Sequence, residues 1–360
     1  VKFIADAAHG RDNNFNLVRM LAAAAVLVSH SWPIALGAGT SEPLESATGY
    51  KLGTTAVIIF FAISGFFIAK SFDRRKSFID FLVARAFRLY PALIVLLVLT
   101  VIVLGPLFTR LQFSEYARDP HTAAYIPKNL SLYWLQWSLP GVFASNRYGP
   151  PINGSLWTLF WEVICYAMVV VVGLVGALKP IRFGLFLVAM TSLEIAIRWF
   201  GFSEPLTFFS LLSFPFIVGM TCYVYREWIP LSNWIILALS ALAALRVGQA
   251  EFHMLYPLAL SYGAIRLGFA NLSWTRQYNR TGDYSYGMYL YAFPVQQSVI
   301  ATLGALSPWS LTFTSLPITL ALAMISWRYI EKPALSRRHS VGLSISRLLG
   351  SRWRAAQRFS

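Results

Sequence analysis

Charge is what this sequence has least of. Asp, Glu, Lys and Arg make up 12% of the 360 residues, about half the share usual in a soluble domain. Acid is scarcer than base, with 15 Asp and Glu against 30 Lys and Arg. Cysteine is nearly missing as well. Cys165 and Cys222 both sit in apolar runs and no C-x-x-C occurs, so a disulfide framework is excluded and the redox compartment is not legible. There is no H-E-x-x-H and no Cys/His cluster at ligand spacing, so no metal site is expected. A P-loop is also lacking, which leaves direct ATP-driven transport without support.

What is there is apolar: 57% of the residues are hydrophobic. The runs predict an all-α polytopic membrane protein, a bundle of about ten transmembrane helices, since a span takes roughly 20 apolar residues. The expected spans are 15–36, 52–72, 80–107, 155–178, 182–200, 206–225, 230–247, 251–270, 283–304 and 309–330. The first run, Leu17 to Gly37, is too long for a secretory signal core and carries Arg19 and His30, so it reads as a retained span. The chain opens on Val1 without Met, which suggests a trimmed or processed N terminus. No internal repeat of the transporter type is visible.

A net charge of +15 would suit a nucleic-acid binder, but its placement points to a bilayer. With the N terminus inside, 23 of the 30 basic residues fall in inner segments and 7 in outer ones. That bias follows the positive-inside rule and puts both termini in the cytoplasm. A lipid bilayer, and no nucleic acid, is the expected partner. The long segment 108–154 falls outside. Its Leu132-Tyr133-Trp134-Leu135-Gln136-Trp137 stretch favours a short interfacial helix or a lid. Pro333 is expected to stop the last span. Residues 1–333 then form the membrane domain and 334–360 a basic amphipathic cytoplasmic tail. In that tail Ile345, Leu348, Leu349, Trp353 and Ala356 share one face, and Arg347, Arg354 and Arg358 another.

Ionisable residues inside spans are costly and are functional candidates by default. Arg19 and His30 lie eleven residues apart, about three helical turns, so they share a face roughly 16 Å apart. A snorkelling arginine and a hydrogen-bonded histidine would be the ordinary alternative. Histidine suits proton abstraction from a hydroxyl near neutral pH. Ser31 follows His30 without a nucleophile elbow around it, so His30 is favoured as a base over Ser31 as a nucleophile. Arg85 and Arg88 are spaced i, i+3 and share a face at the cytoplasmic edge, a good phosphate clamp or plain membrane anchors. Glu162 is a buried carboxylate that could orient a histidine, bind a sugar hydroxyl or neutralise an arginine. Ser64 and Gly65, within an aromatic run, would let helices approach closely. Asp283 is placed to cap the ninth span. Glu194 and Arg198 form a structural i, i+4 pair.

These residues together carry a resemblance. The features are Arg19 and His30, the Phe60-Phe61-x-x-Ser64-Gly65-Phe66 run, and Arg85-x-x-Arg88-Leu89-x-Pro91. To these add Asn153-Gly154-Ser155-Leu156-Trp157-Thr158-Leu159 with Glu162, Tyr284-Ser285-Tyr286-Gly287, and Ile330-Glu331-Lys332-Pro333. In order and at the expected spans, they resemble the membrane-embedded acyltransferase-3 family, O-acyltransferases of bacterial surface sugars. The resemblance covers about Asn14 to Pro333. It implies a ten-helix bundle in the bacterial inner (plasma) membrane, an acyl-coenzyme A donor (acetyl by default, succinyl or longer open), and a sugar or glycolipid hydroxyl as acceptor. His30 matches the family's catalytic histidine and Arg19 its essential partner. Arg85 and Arg88 match its arginines, with a role in binding the donor. Glu162 matches its acidic position. Two departures stand out. Many members carry a histidine where this chain reads Tyr291-Ala292-Phe293-Pro294. Many also carry an outer esterase-like domain, for which the 27 residues after Pro333 are too few, so a second extracellular transfer by this chain alone is not expected. Direct transfer and an acyl-histidine intermediate both stay open, as do the acceptor and the oligomeric state. The rival reading is a transporter or flippase of lipid-linked sugar, which would use the same buried groups without consuming thioester; a structural scaffold is a third.

Overall fold

The computed structural model describes residues 2–8, 13–74, 78–270 and 275–356, apart from the side chains of 198, 276, 277, 280 and 346–356. Among these residues the fold is all helical, with one isolated bridge between Phe3 and Pro230. The long helices, in chain order, are α1 (Phe15–Leu36), α2 (Leu52–Asp73), α3 (Phe78–Phe108), α4 (Trp157–Leu174) and α5 (Pro180–Phe200). They continue with α6 (Glu204–Val224), α7 (Asn233–Leu245), α8 (Phe252–Gly268), α9 (Ser285–Leu303), α10 (Pro308–Ser326) and α11 (Lys332–Ala356). Seven of the helical segments are long and apolar enough to cross a membrane: α1 to α6, and the stretch that begins with α10. The protein is therefore a multi-pass membrane protein. The other three expected spans are helices too, but α7 has 13 residues and α8 has 17, short of the ~20 that a straight span needs. The 19-residue α9 is interrupted by Ser, Tyr and Gln side chains.

The centre of the bundle is α2 against α6. Each buries 61% of its most apolar stretch, against 17% for α5. Small residues explain the difference. A Cβ on Gly65 would run into the carbonyl of Phe216, and one on Gly219 into that of Ala62, so the two backbones touch where side chains would normally hold them apart. The expectation for Gly65 holds. Ser64 instead faces a cavity. Cys165 and Cys222 are buried and unbridged.

The last span departs from expectation. Pro333 does not stop it. A π-helical turn, Trp327–Glu331, follows α10, and the helix runs on through Pro333 as α11. The proline sits just after the wide turn, where a missing backbone N–H costs little, as at the first turn of a helix. The start of α11 packs along α3: Gly342 lies against Asp80, and Leu335 reaches a cavity beside Arg85. Of the tail residues expected to form the two faces, the side chains of Leu348, Leu349, Trp353, Ala356, Arg347 and Arg354, and residue Arg358, lie outside the described residues. So do Arg11, Arg75 and Lys76, and the side chains of Arg198, Arg276, Arg280 and Arg352.

The segment between α3 and α4 contains two short helices, Phe113–Arg118 and Pro120–Leu130. Tyr116 anchors the first by donating to the Val101 carbonyl at 2.8 Å, and burial pushes its phenol up to about 12, so it remains a donor. Tyr133 and Trp134 stay exposed, as befits an interfacial aromatic stretch. The remainder folds back onto α9. Asn146 Nδ2 donates to Gln297 Oε1 at 2.8 Å, and Gln297 Nε2 donates to the Pro151 carbonyl at 2.7 Å.

Candidate active site

Three adjoining cavities run through the bundle between α1, α2, α4 and α9. The first, about 170 Å³, is lined by Arg19, Ser64, Arg85, Arg88, Glu162 and Tyr166. The second, about 50 Å³, shares Arg19, Ser64, Arg88 and Glu162 with it and adds Thr158 and Tyr289. The third, about 300 Å³, shares Val57 and Tyr289 with the second and holds His30. The row thus has an arginine end and a histidine end, joined by a constriction. All five candidate residues line it: Arg19, Arg85, Arg88 and Glu162 towards one end, His30 at the other. Arg19 and His30 share the helix α1, as expected.

At the arginine end the charges are tied together. Asp283 Oδ2 accepts from Arg19 Nη1 at 3.0 Å and from Arg88 Nη2 at 2.7 Å. Arg88 Nη1 reaches Glu331 Oε2 at 3.4 Å, and the Ser326 hydroxyl donates to Glu331 Oε1 at 3.0 Å. Two guanidinium groups thus meet two carboxylates, joining α1, α3, the start of α9 and the π turn after α10. Breaking one member of such a buried network costs about 3–5 kcal/mol, because its partner is left uncompensated. Arg85 has different neighbours. Its guanidinium carbon lies 5.8 Å from the Tyr166 ring centre and 5.9 Å from that of Phe81. Glu162 accepts from the Tyr166 hydroxyl. The structure therefore groups Glu162 with the arginines and not with His30.

Asp283 and Glu331 are the residues that sequence reasoning missed. Asp283 was expected only as a helix cap. It does accept from the Ser285 amide at 3.3 Å, but its other oxygen serves both arginines. Glu331 was treated only as part of a helix stop. The available signal was arithmetic: buried arginines in a chain so poor in acid require the few acids near span ends.

At the histidine end polarity is left open. His30 Nδ1 is buried without a hydrogen-bond partner. The ring meets Phe293 edge-on at 5.1 Å, and Tyr148 also packs on Phe293, at 5.5 Å. Burial raises the Tyr148 phenol above its usual range. Ser31 points elsewhere. It donates to the Leu27 carbonyl at 3.1 Å and accepts from Gln296 and Thr312, each at 2.7 Å, so its hydroxyl is fully committed. The Asn153-Gly154-Ser155 turn closes the wall. Asn153 Oδ1 accepts from the Ser155 amide at 2.9 Å and Nδ2 donates to the Leu290 carbonyl at 2.9 Å. A Cβ on Gly154 would sit 2.6 Å from the Phe293 ring, so only glycine lets this turn seat on α9.

The family model described as "Acyltransferase domain" (Acyl_transf_3) matches residues 12–328. The chain belongs to the acyltransferase-3 family. An "O-acetyl transferase" of Shigella phage Sf6 is 31% identical over 344 residues, covering 91% of this chain and 97% of that relative. "Nodulation protein 10" of Rhizobium leguminosarum bv. viciae is 29% identical over 363 residues, covering 92% and 95%. No solved structure matches.

An acyltransferase needs an acyl donor and an acceptor substrate. At about 170 Å³ the arginine-end cavity is smaller than the roughly 300 Å³ of a drug-sized site. The constriction, about 50 Å³, is walled by paired hydroxyls: those of Thr158 and Tyr289 lie 2.6 Å apart, and Tyr289 donates to the Ser155 carbonyl at 2.8 Å.

Proposed function

We propose that this acyltransferase moves an acyl group, acetyl by default, from acyl-coenzyme A to a sugar hydroxyl of a cell-surface polysaccharide or glycolipid. The observation that carries this reading is the row of cavities leading from the arginines to His30. The relative named as an O-acetyl transferase supports acetyl and an oxygen acceptor.

In this reading the donor's thioester arm enters at the arginine end, with its phosphates near Arg85 and Arg88. Arg88, shared between Asp283 and Glu331, holds the shape of that mouth, and Arg19 helps to lock it. Glu162 sits along the arm's path. The acceptor comes to the histidine end. His30 Nδ1 is buried, which leaves Nε2 to reach a substrate. Nε2 takes the hydroxyl proton as the oxygen attacks the thioester carbonyl. The carbon–sulfur bond breaks, and the thiolate leaves and is reprotonated. Such a base contributes about 10²–10⁴-fold.

The bundle then crosses the bacterial inner membrane ten times, with the arginine end and both termini on the cytoplasmic side. The 23-to-7 division of basic residues supports that orientation. The test is release of free thiol from acetyl-coenzyme A by membranes carrying the wild type or His30→Ala, together with acetyl content of the glycan. Wild-type rates from correctly folded His30→Ala would sink the mechanism.

A further inference from the structure

The cavity at the histidine end carries more than a base. Besides His30, two of its lining residues keep a buried polar atom with no hydrogen-bond partner: Glu45 Oε2 and Ser155 Oγ. Buried polar atoms in native proteins are almost always paired. Two unpaired ones, Glu45 Oε2 and Ser155 Oγ, on residues lining a single cavity of about 300 Å³ point to a bound group that brings its own donors and acceptors. With His30, they come from separate parts of the chain. His30 is on α1, Glu45 on the short helix Pro43–Thr48, and Ser155 in the turn before α4. A carboxylate and a hydroxyl need only a rotamer step to meet an incoming group.

The rest of the wall narrows the chemistry. Tyr148, Trp157, Tyr289 and Phe293 line it, and aromatic rings suit the apolar C–H faces of a ring otherwise covered in hydroxyls. The charged groups lining the cavity are Glu42, Glu45 and Lys51. Glu42 already accepts from the Leu52 amide, and Lys51 Nζ lies 3.7 Å from Glu45 Oε1. Two carboxylates against one ammonium repel an anionic ligand and suit a neutral one.

We propose that this cavity is the binding site of a neutral, hydroxyl-rich sugar ring. Glu45 and Ser155 hold its non-reacting hydroxyls, and the aromatic wall orients the reacting one towards His30. The inference rests on the acyl-transfer reading for the role of His30, but the binding itself does not. Glu45 and Ser155 act here as acceptor-binding residues. A site built to hydrogen-bond hydroxyls also rejects rings that lack them, because its own groups are then left unpaired.

The test uses the full-length protein in detergent and glycan extracted from a strain deleted for the gene. Binding is followed by tryptophan fluorescence, since Trp157 lines the cavity, and acyl transfer by acceptor KM and kcat. Glu45→Gln and Ser155→Ala should each weaken glycan binding at least tenfold and raise acceptor KM by a similar factor, with kcat changing less. Glu204→Gln, exposed and away from the cavity, is the control. The proposal is overturned if both variants bind glycan within twofold of wild type, or if the wild type binds none. It is also overturned if a glycan whose neutral rings have been oxidised to uronates binds more tightly than the parent. Loss of binding in the variants, with no thioester consumed by wild type, would uphold this site and remove the acyl-transfer reading instead. Normal transfer with variant binding intact would do the reverse.

Discussion

The two ends of the cavity row treat buried polarity in opposite ways. At the arginine end, Arg19, Arg88, Asp283 and Glu331 satisfy one another at 2.7–3.4 Å. At the histidine end, His30, Glu45 and Ser155 each keep a buried atom unpaired. Both choices are costly in different currencies. A neutralised network resists change and fixes helices, whereas an unpaired buried group costs about 1–3 kcal/mol until something binds it. Rigidity at one end and unmet hydrogen bonding at the other is the pattern expected of a scaffold and a binding site placed in series.

That contrast can be broken experimentally. The largest effect is expected from His30→Ala, which should lower acyl transfer by about 10²–10⁴-fold while leaving the melting temperature of the detergent-solubilised protein near wild type. A large loss of stability would instead make His30 structural. Next comes Asp283→Asn, which strips both arginines of their shared carboxylate. It should cost about 3–5 kcal/mol of stability, read as a lower melting temperature. If melting is unchanged, the arginine end is not the fixed part of the molecule. Arg85→Ala should raise donor KM about tenfold, as for loss of one charge-assisted hydrogen bond worth ~1.5 kcal/mol. Unaltered coenzyme A affinity would remove Arg85 from the donor's path. The smallest effect sharpens the contrast within the histidine end. Ser31 is next to His30 but fully paired, so Ser31→Ala should cost about 1–3 kcal/mol of stability through the partners it leaves behind and keep kcat within a few-fold. A collapse of kcat would make Ser31 a nucleophile candidate again.

Much of the fold was legible because membrane burial writes itself into long apolar runs. The spans that became α1 to α6 match their helices closely, and Gly65 announced the tight α2–α6 contact. The turn at Asn153-Gly154-Ser155 could be recognised, but its fit against Phe293 could not, because that contact joins residues about 140 apart. The π turns at Thr100–Leu104 and Trp327–Glu331 were invisible for a similar reason. One extra residue in a helical turn is decided by what the helix packs against, not by local propensity. Pro333 shows the consequence. Its reading as a stop was sound for an ordinary α-helix and failed because a π turn precedes it. Of the site, the candidate cations and His30 could be named in advance. The pairing of Arg88 with Asp283 and Glu331 could not, since nothing local distinguishes an anchoring arginine from one awaiting a carboxylate on a distant helix.

The Arg19–Asp283 pair also sets a timetable. Its members are 264 residues apart, so a ribosome working at about 5–20 residues per second needs roughly 13 to 53 s to supply the second after the first. Through that interval the first span carries a guanidinium with no carboxylate to meet it, and the cheapest place for that group is the membrane surface. Arg88 faces a similar wait. The arginine end therefore cannot take its final form until Asp283 and Glu331 have been made.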